Sequence, residues 1–139
     1  MRAAILLLIL VGPCRADGLG AGWTGPDGTW WLVEMHGAPF DAAASLRFAE
    51  GGRIEGDAPC NAYDAELDAG PPAFAIGPVR STRRGCRDLD AEAAFLAALE
   101  ASVAADVSGT TLVLTDADGR TLVFSRATAT RPVRSAGRR

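Results

Sequence analysis

The 139-residue chain has no lysine, a single histidine and no apolar run long enough to cross a bilayer. With His36 alone there is no pair of imidazoles, and no G-x-S-x-G segment supplies a nucleophile for a Ser-His-Asp arrangement. His36, at the end of an apolar segment beside Gly37, reads as a surface or packed residue. C-x-x-C spacing is also missing, and Cys60, Cys86 and His36 fall short of the four ligands of a structural zinc site. Asp116 and Asp118 begin like a calcium loop, but Arg120 and Ala127 stand where further oxygen ligands belong. That segment reads as a hairpin turn. Seventeen acids are present, yet nothing singles out the two that glycoside hydrolysis needs. No catalytic residue, metal or cofactor is expected.

What charge there is falls unevenly. All fourteen basic residues are arginine. Residues 17–125 hold seven of them against all seventeen acids, whereas 126–139 hold five and no acid. An acidic body repels a phosphate backbone, so nucleic acid is not the expected partner. The basic end at 126–139 reads as a solvated, disordered tail; the alternative is peripheral contact with an anionic membrane surface.

At the other end, Arg2 precedes an apolar run from Ala3 to Val11, broken by Gly12 and Pro13, and Cys14-Arg15-Ala16 places small residues at −3 and −1 of a cleavage site. This is the layout of a secretory signal peptide over 1–16. Cys14 opens a second route, lipidation, but Pro13 stands where a lipoprotein signal wants a small residue. Soluble export to the periplasm or beyond is the preferred reading. Residues 17–28, rich in glycine and containing Pro26, form a linker. Cleavage would leave Cys60 and Cys86 as an even pair, which in an exported chain reads as a disulfide rather than two separate buried thiols.

The remaining body, 29–125, is strand-like. Thr29–His36 carries apolar groups on both faces. Leu46 and Phe48 alternate with Arg47, and Gly51-Gly52 turns the chain back through Ile54. Tyr63–Leu67 and Ala73–Ile76 are weaker strands about the turn Asp68-Ala-Gly-Pro-Pro72, and 111–115 and 121–125 form the clearest hairpin. Leu89, Ala93, Leu96, Leu99 and Val103 recur at helical spacing, which predicts one helix from Leu89 to Val103 with Asp88, Asp90 and Glu92 favouring its start. Six to eight strands and one helix predict a mainly β fold. The expected form is a curved antiparallel sheet, or a partly closed barrel, covered by the α-helix.

Two clusters stand out within that body. Asn61 follows Cys60 and either serves a turn or fixes the cysteine loop for a partner. Arg80, Arg83, Arg84 and Arg87 surround Cys86. Guanidinium forks suit carboxylates and phosphates, so the cluster either binds an anion or pairs with nearby acids, with Thr82-Arg83 as an internal structural pair.

In order and spacing these segments resemble the META domain, the HslJ-like family. Gly28-Thr-Trp-Trp-Leu32 with Gly37, Asp57-Ala-Pro-Cys-Asn-Ala-Tyr63, Ile76 to Cys86 with its Thr-Arg-x-x-Cys, Glu92 to Leu99 and the final hairpin all have counterparts there. Pro59 replaces a common glycine, and Ala65 and Leu67 depart from the usual residues after Cys-Asn. The resemblance implies a compact β-rich envelope domain linked with stress, with Asn61, Tyr63, Thr82 and Arg83 as motif residues, and brings no established reaction. The function expected is a non-catalytic module binding an envelope component or protein. A secreted inhibitor of a lysozyme or protease is the alternative, although the S-G-x-x-Y signature of one inhibitor family is missing.

Overall fold

Alternation of side chains between the two faces of each strand, at period two, organises the chain. In strand β1 (Thr29–Met35), Trp30 and Leu32 point into the core while Trp31 and Val33 look outward. The computed structural model describes residues 28–126. The expected signal peptide (1–16), the expected linker apart from Gly28 and the expected basic tail apart from Arg126 lie outside the described residues.

Ten strands and one helix make up the domain. The long strands are β1, β3 (Ser45–Ala49), β4 (Arg53–Asp57), β5 (Ala62–Ala69), β8 (Ser102–Ser108), β9 (Thr111–Asp116) and β10 (Thr121–Ser125). Three two-residue strands, β2 (Ala38–Pro39), β6 (Ala75–Ile76) and β7 (Arg80–Ser81), complete the sheet. The order is β6-β5-β4-β3-β1-β10-β9-β8, with β2 beside β1 and β7 beside β5, and every pairing is antiparallel. The two ends of this order meet. Phe74 N–H donates to Val103 O and Ala105 N–H to Pro72 O, both at 2.9 Å, and Ala73 bridges Ala104. The sheet is thus a nearly closed barrel, as the strand pattern predicts.

Tight turns set the register. His36 and Gly37 both have positive φ (53° and 80°) between the paired residues Met35 and Ala38, the geometry of a two-residue hairpin turn that suits the right-handed twist of the strands. This is why the lone histidine is exposed: it is a turn residue, of a type that tolerates the left-handed region. At Gly56 the reason is space. A Cβ there would lie 2.1 Å from Ser45 O and 3.1 Å from Tyr63 Cε1, and backbone cannot retreat as a flexible side chain would. Gly56→Ala is expected to cost about 2–3 kcal/mol, read as a lowered midpoint in urea unfolding with an unchanged slope.

The helix corrects the expectation in two places. It runs from Leu89 to Ala101, and Val103 lies in β8, a strand the periodicity concealed. Leu89 and Val103 are exposed, as is Ala93, while the buried side is Glu92, Phe95, Ala98 and Leu99. The apolar stripe was misjudged because a carboxylate occupies its first buried position. Asp88 is the N-cap residue but makes no side-chain capping bond.

Phe95, fully buried, approaches the rings of Phe40, Tyr63 and Phe124 at centroid distances of 6.3, 5.7 and 6.5 Å. Tyr63 on β5 and Phe124 on β10 are separated by three strands in the sheet order. One helical side chain therefore joins distant walls, and the helix covers the barrel interior. Leu112, Leu114, Leu122 and Phe124 of the last hairpin face each other across the register and fill the same interior. Arg126, assigned from sequence to the tail, donates its backbone N–H to Thr110 O, and its guanidinium lies 4.1 Å from the centre of the Trp30 ring.

Candidate functional site

Cys60 and Cys86 form the disulfide, with Cα atoms 5.8 Å apart. Closing a loop across 26 positions removes denatured-state entropy worth about 3–4 kcal/mol on the chain-entropy argument. Reduced and alkylated protein is expected to lose that amount relative to the oxidised form in urea unfolding.

Beside the disulfide lies a buried polar junction that the sequence only half revealed. Asn61 is 5% exposed and Glu92, one turn into the helix, 6%. Glu92 Oε2 accepts the backbone N–H groups of Cys60 (2.8 Å) and Asn61 (2.9 Å), and Oε1 accepts Asn61 Nδ2 (2.6 Å). Asn61 Oδ1 in turn accepts Thr82 Oγ1 (3.0 Å) and Arg84 N–H (2.5 Å), while Nδ2 also donates to Arg84 O (3.2 Å). The junction ties helix, cysteine loop and the 82–84 segment together. Burying a carboxylate is costly unless its acceptor sites are filled, and here three donors fill them. Asn61 and Thr82, from two separate motif segments, thus meet in one network, in which no hydrogen bond involves the Arg83 side chain. Glu92 was not singled out from the sequence, where it reads as a residue favouring the helix start.

Tyr63 is buried on the neighbouring strand, where its hydroxyl donates to Ser45 O at 2.7 Å. Burial, with the nearby Asp57 charge adding to it, pushes its phenol far above the ordinary range, so it remains a protonated donor.

The arginines divide into two groups. Arg80 forms an ion pair with Asp64, which also pairs with Arg53. The Arg80 hydrogen bond above all holds the Asp64 carboxyl below its ordinary range; partial desolvation opposes this, and the charges of Arg80 and Arg53 reinforce it. Arg83, Arg84 and Arg87 are exposed and make no ion pair among the described residues. They ride on a segment pinned at its base by Asn61 and by the disulfide.

On the outer face of β1, β3, β4, β5 and β7, a groove of about 740 Å³ runs up to this segment. Cross-strand register places Thr29, Arg47, Glu55, Asp64 and Arg80 in one row, each opposite the next. Arg47 pairs with Glu55 in that row. Trp31, partly exposed, lies at one side and Thr82 at the other. Surface ion pairs of this kind contribute little to stability. Sequence reading missed Trp31, Arg47, Arg53 and Asp64 as groove residues because only strand register brings them together.

The last hairpin turn is self-contained. Asp116 Oδ1 accepts the N–H groups of Asp118 and Arg120, both at 2.9 Å, and Oδ2 accepts Arg120 Nε at 2.8 Å. Desolvation works to raise the Asp116 carboxyl, but these bonds and the Arg120 charge outweigh it and lower it. Among the described residues no group of three or more His, Cys, Asp or Glu side chains is placed to hold a metal ion, and no helix is long and apolar enough to cross a membrane.

Comparison with known proteins places the fold. None of the curated proteins compared matches the chain. A protein from Burkholderia xenovorans, solved by NMR, superposes with a TM-score of 0.61 at 22% identity, over 78% of this chain and 88% of its own. A DUF4847 family protein from Bacteroides vulgatus, solved by crystallography, gives 0.61 at 15% identity, over 76% and 96%. At these identities the likeness is one of fold. The sequence model of the META domain matches residues 24–129, which spans every described strand, the helix and the two disulfide-bonded cysteines, and the chain belongs to the META domain family.

Proposed function

We propose that this protein is an exported, non-catalytic binding module of the bacterial envelope, serving under stress, and that its binding face is the groove with the adjoining Thr82–Arg87 segment. The groove carries the reading: it combines a volume in the range of ligand sites with a row of ion-paired side chains along one face. Arg83, Arg84 and Arg87 extend that face with guanidinium groups suited to anionic groups of an envelope component. Export is supported by the signal-peptide layout of residues 1–16 and by the disulfide, which persists in oxidising compartments. Expression behind its own leader, followed by intact mass with and without reduction, tests the compartment. A periplasmic chain beginning at Asp17 whose cysteines alkylate only after reduction is the expected result. A chain retained in the cytoplasm would overturn it, and a lipid on Cys14 would place the module at a membrane surface. Loss of the gene without any envelope phenotype under heat or antibiotic challenge would count against the stress role.

A second reading draws on the Thr82–Arg87 segment alone. It is exposed throughout yet fixed at its base, the form in which a small protein enters an enzyme cleft with little ordering cost. Inhibition of lysozymes or proteases at micromolar protein would support it, and no inhibition at that concentration would end it.

A further inference from the structure

The groove joins two kinds of chemistry, balanced charge and one broad aromatic surface. Its three guanidinium groups, Arg47, Arg53 and Arg80, stand among three carboxylates, Glu55, Asp57 and Asp64, so its formal charge cancels. We propose that this groove binds a neutral, hydroxyl-rich saccharide, lying on Trp31 and hydrogen-bonded by the paired carboxylates and guanidinium groups. The inference rests on the reading of the chain as a binding module and names the ligand class of its groove.

Within the groove itself, cancelled charge disfavours a simple ion. An anion or a cation gains attraction from a field of one sign, whereas here Arg47 pairs with Glu55, and Arg53 and Arg80 share Asp64. A wholly apolar ligand would leave the polar row desolvated and unpaired, at a cost. What the row offers is hydrogen-bonding capacity. A carboxylate has about four acceptor sites and a guanidinium five donors, so a pair satisfied within itself retains unused sites of both kinds. Asp57 makes no ion pair among the described residues and adds a further acceptor. A sugar hydroxyl both donates and accepts, and neighbouring hydroxyls on one ring can address a carboxylate and a guanidinium together.

The apolar requirement is met by Trp31. Tyr63 is buried, leaving Trp31 as the aromatic side chain partly exposed along the groove. A pyranose ring presents a face of C–H groups, which matches an indole surface as it matches no charged side chain. Asp64 holds Arg53 and Arg80 at once, so their rotamers are restricted before a ligand arrives and less ordering remains to be supplied on binding. A volume of about 740 Å³ is large enough for a short oligosaccharide.

The test is titration of the ¹⁵N-labelled mature chain with neutral tetramers, one of β-1,4-linked N-acetylglucosamine and one of α-1,4-linked glucose. A uronate tetramer and a mixed-charge pentapeptide run in parallel. We expect a neutral tetramer to shift the Trp31 indole N–H and the Arg47, Arg53 and Arg80 side-chain signals. Trp31→Leu, which keeps an apolar strand residue without the ring, should weaken that binding about tenfold or more, with the circular dichroism spectrum unchanged. If Trp31→Leu does not fold, Arg80→Gln at the exposed rim serves instead, with the same loss expected. Neutral tetramers that leave the groove signals unmoved, or bind both variants as tightly as the parent, would overturn the saccharide. Tighter binding of the uronate would overturn its neutrality. A peptide that moves the groove signals when no sugar does would remove the saccharide and leave the binding module standing; silence from every probe would count against both.

Discussion

Glu92→Ala is expected to destabilise the domain by about 3–5 kcal/mol, a large share of the 5–15 kcal/mol typical of a domain. The substitution removes the acceptor for Cys60 N–H, Asn61 N–H and Asn61 Nδ2 together. Both backbone donors lose the acceptor they share, and a buried donor left unsatisfied costs about 1–3 kcal/mol. The size of the effect distinguishes a structural junction from a helix-start preference, which would be worth only about 0.3–1 kcal/mol. Hydrogen exchange supplies the local reading: the Cys60, Asn61 and Arg84 amides should lose protection ahead of the sheet. Asn61→Ala acts on the same network, so the double variant should lose clearly less than the two single losses combined. Additive losses would show that the carboxylate and the amide work separately.

Phe95→Ala is expected to cost about 3–5 kcal/mol as well, through a different cause. The ring sits at the meeting point of Phe40, Tyr63 and Phe124, and its removal leaves a cavity between walls too firmly hydrogen-bonded to collapse inward. The melting temperature should fall by about 15–30 °C. Leu89→Ala is the control: Leu89 fitted the stripe read from sequence, but it is 45% exposed and should change stability by no more than about 0.5 kcal/mol. Equal losses at both positions would mean that the helix packs on the face first expected.

These two residues also show where sequence reading reached and where it stopped. A strand with strict apolar/polar alternation, such as Leu46-Arg-Phe48, announces both its structure and its buried face, because period two leaves no second solution. The helix has two solutions. In an alanine-rich segment, Leu89-Ala93-Leu96 and Glu92-Phe95-Leu99 are both spaced for one face, and choosing between them from hydrophobicity penalises the correct one for its carboxylate. Strand β8 was hidden for a related reason: Ser102–Ser108 follows the helix with no glycine or proline between, and the break comes from Ser102 adopting an extended conformation at the helix end. Asn61 and the cysteines were visible as a motif. The groove was not, since Arg47, Glu55, Asp64 and Arg80 lie on four separate strands and become neighbours only through register.

The partnership of β1 with β10 has a bearing on how the chain folds in time. Trp31 pairs with Ser125 and Leu32 with Phe124, so the strand made first among the described residues waits for the strand made last. Local hairpins such as β3–β4 and β9–β10 form from nearby residues, but this seam demands contacts across almost the whole domain, and such non-local topology slows folding. A growing chain therefore has no complete barrel until residue 125 has emerged, and its earlier strands stay extensible. Were the chain exported as proposed above, late closure would favour its passage through a narrow channel before folding.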